Sequence, residues 1–397
     1  MNVNITWSTD DNARIAGKKC AKKAVLDLMQ TKIAILFSSV KYDINELIGG
    51  AKEELGTAPI IGCTSSKGIV VSEGYVTSTK GFAGMLALGD NETAVGTAGV
   101  EKTTTAIEAG REAARIAMNK VGTDRFPAYF MIISNPGEEE EYIQGVEEVI
   151  GNVPCFGCIA SDDDLSGDWK IFTEDSIFSE GVAVAFFYTN KKMKNLMDGR
   201  YHETIHSGII TKVTEGKQLD EIDGIQALKK YCEWTDLKVK EVKGYRISKK
   251  SVLNPLMVKT DDGKMKLIKY PQNGNTDCSI NLNNSVCVNT AIIQAQISKR
   301  EIAEAPKYTL RDLKKQVNKD VKAFIIMHSV EKRNILDERN SKEIKQEYCS
   351  EDIVNSVREE LGNVPFIMIY TYGEIGRGIN TNNKCESLAI SATAIYE

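Results

Sequence analysis

Apolar runs recur three times along the chain in one setting. KIAILFSS (32–39), AYFMIISN (128–135) and KAFIIMHS (322–329) are short stretches rich in Ile, Phe, Met and Ala that end in a small polar residue. Unbroken apolarity over six or so residues predicts a strand covered on both faces. Each run is followed by an acidic, amphipathic stretch: DINELIGGAKEELG, EEEEYIQGVEEVIG and SEDIVNSVREELG. Carboxylates in the first turn complement a helix dipole, and the closing Gly56, Gly151 and Gly362 suit a left-handed helix end. Pro59, Pro154 and Pro365 come three residues later in every copy. Proline has no amide proton for a ladder, so it belongs where a strand begins. The strands it opens are IIGCTSS, CFGCIAS and FIMIYTY, and each copy has one more: GFAGMLAL, GVAVAFFY and SLAISATAIY. The repeat therefore predicts strand, helix, strand, strand, with its first two strands parallel because a helix crosses between them.

Two copies precede Thr189 and one ends the chain, and a polar stretch, KKMKNLMDGR, follows Asn190. The predicted fold class is mixed α/β, with repeated units forming two sheet-based domains, 1–195 and 196–397. The second half opens with a hairpin turning at Glu215, Gly216 and Lys217, then an amphipathic helix in IQALKKYCEW, then two strands joined at Asp262-Gly263.

Composition narrows the function classes. The 50 basic and 55 acidic residues leave a net charge of −5, which argues against a broad nucleic-acid binder that must displace counterions. The longest apolar run, 182–188, falls far short of the ~20 residues a membrane helix needs, so no membrane insertion is expected. Nine cysteines without a disulfide framework fit a reducing cytoplasm.

Four segments could carry chemistry. His202-Glu203-x-x-His206 matches a zinc-protease pattern, which requires a helix to place both imidazoles on one face. Here glycines at 199 and 208 and β-branched Thr204 and Ile205 favour a strand, which would turn Glu203 to the opposite face. Cys155 and Cys158 form a CxxC, but in a strand their side chains point apart. Cys63 and Cys158 each follow a glycine at one place in the repeat, so packed copies could bring them together. Asp162, Asp163 and Asp164 offer carboxylates on a loop, and TYGEIGRGIN (371–380) gathers aromatic, acidic and basic groups on what looks like a glycine-broken loop. No Walker A motif, GxGxxG after a strand, or GxSxG is present.

The first two copies, with LFSSVKYDINELIGGAKEELGTAPIIGCTSSKGI and EEEEYIQGVEEVIGNVPCFGCIASDD at their centres, resemble the FIST N domain (F-box and intracellular signal transduction). VTEGKQLDEIDGIQALKKY, Asn254-Pro255-Leu256 and VPFIMIYTYGEIGRG resemble its C-terminal partner, FIST C. Lys67 and Gly68 stand where the family tends to read Gly-Glu, while Gly373 and Glu374 keep that pair in the third copy. The resemblance implies a non-catalytic sensory module that binds a small ligand, amino acids being the usual proposal, and passes its signal to a separate output protein. It implies no cofactor for this chain, although some bacterial members are associated with haem. A haem or metal sensor using His202, His206, His328 or the cysteines, and a zinc hydrolase, are the alternatives.

In crossover units, loops after the carboxyl ends of parallel strands gather at one edge. Segments 63–66, 158–163 and 372–377 hold that place in the three copies. The expected binding residues are therefore Cys63, Thr64, Ser65, Ser66, Cys158, Ser161, Asp162, Asp163, Tyr372, Gly373, Glu374 and Arg377, with Arg333 nearby. An ammonium would rest on Asp162, Asp163 or Glu374, and a carboxylate on Arg377 or Arg333.

Overall fold

The structure, a computed structural model, describes residues 2–259, 266–337, 348–378 and 382–397. The three repeats fold alike. Their first strands are Thr31–Ser38, Tyr129–Ser134 and Val321–Ser329, and their second strands Ile60–Thr64, Cys155–Ile159 and Phe366–Thr371. Helices Ile44–Leu55, Glu139–Ile150 and Ser350–Leu361 connect them, and the strand pairs run parallel. Gly56, Gly151 and Gly362 all end their helices at positive φ, a region that side chains resist. In each unit the proline carbonyl accepts an amide of the first strand: Pro59 from Ala34, Pro154 from Phe130 and Pro365 from Phe324, at 2.9–3.0 Å. The proline thus gives up only the donor it never had.

Each unit is longer than strand, helix, strand, strand. Another strand and helix precede it: Asn2–Ser8 and Ala13–Ala24, Ala94–Glu101 and Ala106–Val121, Lys192–Asp198 and Lys299–Val317. A hairpin also follows each second strand, and it joins a different sheet. The hairpin of unit one (Ile69–Val71, Gly74–Val76) pairs with the second strand of unit three. That of unit three (Gly373–Arg377, Asn383–Glu386) pairs with unit two, and that of unit two (Ile171–Thr173, Ile177–Phe178) with unit one. The exchange is cyclic, so three six-stranded mixed sheets close on one another as a ring.

The closure explains why the strands are apolar on both faces. Inward side chains from all three units, among them Phe37, Met131 and Met327, share one central core. Outward ones pack under the helix pair of their own unit. Cys158 lies in the central core and Cys155 in an outer one, so the CxxC does point two ways. Cys63 and Cys158 meet inside with sulfurs 3.8 Å apart.

Between Lys192–Asp198 and Lys299–Val317 the third unit carries an insertion with its own nine-stranded sheet and small core. Residue 195 falls within a strand that pairs with the C-terminal strand Ile390–Tyr396. The hairpin at Glu215-Gly216 and the helix Ala227–Thr235 form as the pattern predicts. The Asp262-Gly263 turn lies outside the described residues. No helix among the described residues is long and apolar enough to cross a membrane.

Candidate functional site

The carboxyl ends of the second strands converge at the ring axis. The Ser161 hydroxyl donates to the Tyr370 carbonyl (2.6 Å) and accepts from the Ser66 amide (2.9 Å). Thr64 Oγ1 donates to the Ser161 carbonyl at 2.8 Å, and Ser65 Oγ accepts from the Tyr370 amide at 3.1 Å. All five residues are buried. Three segments remote in sequence are thus tied through short hydroxyl side chains, which fit where strands converge.

Beside this knot opens a crevice of about 880 Å³, within the size range of small-molecule sites. Ser66, Lys67, Asp162, Asp163 and Tyr372 form its ring wall, helix Val330–Asp337 contributes Glu331, Asn334 and Asp337, and the insertion contributes Arg246 and Ser248 to Lys250. A second hollow of about 420 Å³, lined by Ser39, Lys41, Thr77 and Ser78, shares Lys67 and Asp163 with it.

Four of the expected residues, Ser66, Asp162, Asp163 and Tyr372, line the crevice. Asp162 is a loop anchor: its carboxylate accepts the amides of Leu165 (2.6 Å), Gly167 (2.8 Å) and Asp168 (3.0 Å), and the Tyr372 hydroxyl. Burial alone would raise its pKa, but the Tyr372 bond and the amides outweigh that and hold it below the ordinary carboxylate value. That spends its capacity and corrects the expectation that it receives an ammonium. Asp163 is half-buried, and one oxygen accepts the Lys67 amide at 2.6 Å. Tyr372 stands edge-on to Trp169 at 6.0 Å.

The other expected residues lie elsewhere. Cys63, Thr64, Ser65, Cys158 and Ser161 are enclosed and hold the rim together. Gly373 and Glu374 belong to a strand, not a loop; Glu374 is fully buried, accepting from Thr371 Oγ1 (2.7 Å) and the Ala389 amide (2.9 Å). Arg377 is a clear correction. Its strand runs antiparallel to Cys155–Ile159 and carries it to the far end of the ring, where it bonds Asn383 and Asn152 and borders a separate hollow with Lys194 and Tyr396. Arg333 packs its guanidinium over Tyr370 (5.1 Å) and reaches the Tyr75 hydroxyl at 3.2 Å.

The missed residues are Lys67, Arg246, Lys250, Glu331 and Asn334. Lys67 had a signal in the repeat, since Lys67-Gly68 stands where the third copy has Gly373-Glu374. The others sit on the insertion and on a helix the repeat pattern does not contain.

The histidine motif is a strand, His202–Thr214. Glu203 turns away to Lys259 and Lys266, both at 2.8 Å, while His202 meets Glu301 and His206 stacks on Trp234. This arrangement has no place for Glu203 as a metalloprotease base. His202 opens on a hollow walled by Arg200, Arg300, Glu301 and Glu304, a charged surface unlike an apolar haem slot. His328 is fully buried, with Nδ1 2.9 Å from the Ser329 carbonyl, and burial pushes its pKa down to about 3. Among the described residues no group of three or more His, Cys, Asp or Glu side chains is placed to hold a metal ion.

Residues 32–225 match the family described as the FIST N domain, a stretch running from unit one into the first hairpin of the insertion; the C-terminal partner domain is not matched. No curated protein matches the sequence. Among solved structures, the crystal structure of cyanuric acid hydrolase from A. caulinodans is similar at 6% identity and a TM-score of 0.38, over 100% of this chain and 99% of that one. So loose a likeness carries no argument about chemistry.

Proposed function

We propose that this chain, with a FIST N domain at residues 32–225, is a non-catalytic sensory module whose crevice binds a small ligand of the amino-acid class. The observation that carries this reading is the crevice itself, lined by loops of the ring, by helix Val330–Asp337 and by the insertion. It offers both signs of charge: Lys67, Arg246 and Lys250 for a carboxylate, and the second oxygen of Asp163 for an ammonium. A ligand touching both walls binds the closed arrangement better than the open one, and that difference is what shifts a population. The signal then passes to a separate output protein that senses the insertion's position. All nine cysteines are free thiols, in keeping with the cytoplasm, where we place the module.

Thermal-shift measurements with the amino acids test this. A true ligand at a hundredfold its Kd stabilises by about 2.7 kcal/mol, and Asp163→Asn should remove most of that gain. No shift with any amino acid, or an equal shift in the variant, overturns the reading.

A further inference from the structure

The charged groups of the crevice are unequally satisfied. On the acidic side, Asp162 is saturated by amides, and Asp337 accepts the Ser350 amide at 3.0 Å with Arg333 3.6 Å away. Asp163 has committed one oxygen, Asp164 accepts the Ser166 amide at 3.3 Å, and Glu331 lies 4.0 Å from Arg246. On the basic side, Lys67 and Arg246 bond neutral oxygens. Lys67 Nζ donates to the Asn334 amide oxygen at 2.9 Å. Arg246 Nε donates to Ser248 Oγ at 2.9 Å, with its nearest carboxylate, Glu331, at 4.0 Å. Lys250, on the short helix Ser248–Ser251, makes no ion pair among the described residues.

Lys67 is also held in place to serve the crevice. Its backbone sits at φ 60°, a conformation disfavoured for a lysine. Three bonds keep it there: its amide to Asp163, and its carbonyl to the Tyr75 hydroxyl (2.6 Å) and Thr77 Oγ1 (2.7 Å). The side chain then spans from the ring to Asn334.

We infer that the ligand is a dicarboxylate, acidic amino acids included, with one carboxylate on Lys67 of the ring and the other on Arg246 and Lys250 of the insertion. This rests on the crevice being a ligand site and narrows its ligand class. Lys67 belongs to the ring part of the lining and Arg246 and Lys250 to the insertion part, so a ligand with two carboxylates can pair with cations of both parts. A single carboxylate can pair with the cations of one part only. Bridging the walls is also what couples occupancy to the position of the insertion.

The test is calorimetric titration of the whole chain with glutamate, succinate, glutamine, alanine and inorganic phosphate, repeated on Lys67→Gln and Lys250→Gln. Circular dichroism and the unliganded melting temperature confirm that each variant is folded. Glutamate or succinate should bind at least tenfold tighter than glutamine or alanine, and each substitution should weaken that binding at least tenfold. Glutamine or alanine binding as tightly as glutamate overturns the dicarboxylate and leaves the sensory reading standing. So does an affinity indifferent to Lys250→Gln, whereas phosphate binding with none of the amino acids bound overturns both readings. No binding by any of the five overturns the dicarboxylate, and no thermal shift with any amino acid overturns the sensory reading as well.

Discussion

Glu374 shows how one enclosed carboxyl makes the ring sensitive to pH. It is fully buried, and desolvation drives its pKa up to about 8 against the opposing bonds from Thr371 and Ala389. The folded state therefore keeps a proton that the unfolded chain releases near its ordinary value of 4.5. Native protein binds more protons across that window, so this group's contribution to stability falls as pH rises from about 4.5 to 8. The ceiling on that loss is about 5 kcal/mol, from 1.36 kcal/mol per pH unit. Glu374→Gln retains an acceptor for the Ala389 amide and carries no titrating proton. Chemical denaturation of both proteins at pH 5 and pH 8 should show the wild type losing several kcal/mol that the variant keeps; parallel losses would remove Glu374 as the cause.

The helix pairs of units one and two pack through facing glycines. A Cβ on Gly50 would lie 1.9 Å from the Arg14 carbonyl oxygen, and one on Gly145 2.1 Å from that of Ile107. Backbone cannot yield as a side-chain tip can. Alanine ordinarily favours a helix over glycine by about 1 kcal/mol, but Gly50→Ala and Gly145→Ala should each destabilise by about 1–3 kcal/mol, since overpacking wins. The neighbouring Gly49 is a built-in control, because its Cβ would meet only the flexible end of Arg14 at 2.9 Å. Gly49→Ala should be neutral or stabilising by up to about 1 kcal/mol. Urea midpoints at constant m-value decide the matter, and equal effects at 49 and 50 would refute the close-packing account.

At the scale of the whole molecule, the exchanged hairpins mean that no unit completes its own sheet. Unit two lacks an edge without Gly373–Arg377, and the central core lacks a third of its wall without Ile325, Met327 and Ile369. A fragment of residues 1–190 should accordingly bind hydrophobic dye and melt without a sharp transition, although it carries the first two repeats. Cooperative unfolding with dispersed amide resonances would show instead that two units suffice.

Local chemistry alone determined the repeating elements. Apolar runs, acidic helix starts, closing glycines and prolines at 59, 154 and 365 act through near neighbours, so they could be read in order along the chain. The β-branched setting of the histidine motif likewise foretold its strand. A further signal, the capping box of Ser298 and Glu301 that opens Lys299–Val317, was present in the sequence as Ser-x-x-Glu and would have revealed the outer helix. What the chain's order could not contain was the partner of each hairpin. A strand edge will pair with any suitable neighbour, and only closure of three units around one core selects among them. That choice turned TYGEIGRG from a loop into a strand. At about 3.3 Å per residue, the four steps from Gly373 to Arg377 took the arginine out of the crevice. The tertiary structure likewise brought Lys67 into one crevice lining with Arg246 and Lys250, residues roughly 180 positions later, because a crevice exists only once the segments that line it have packed together.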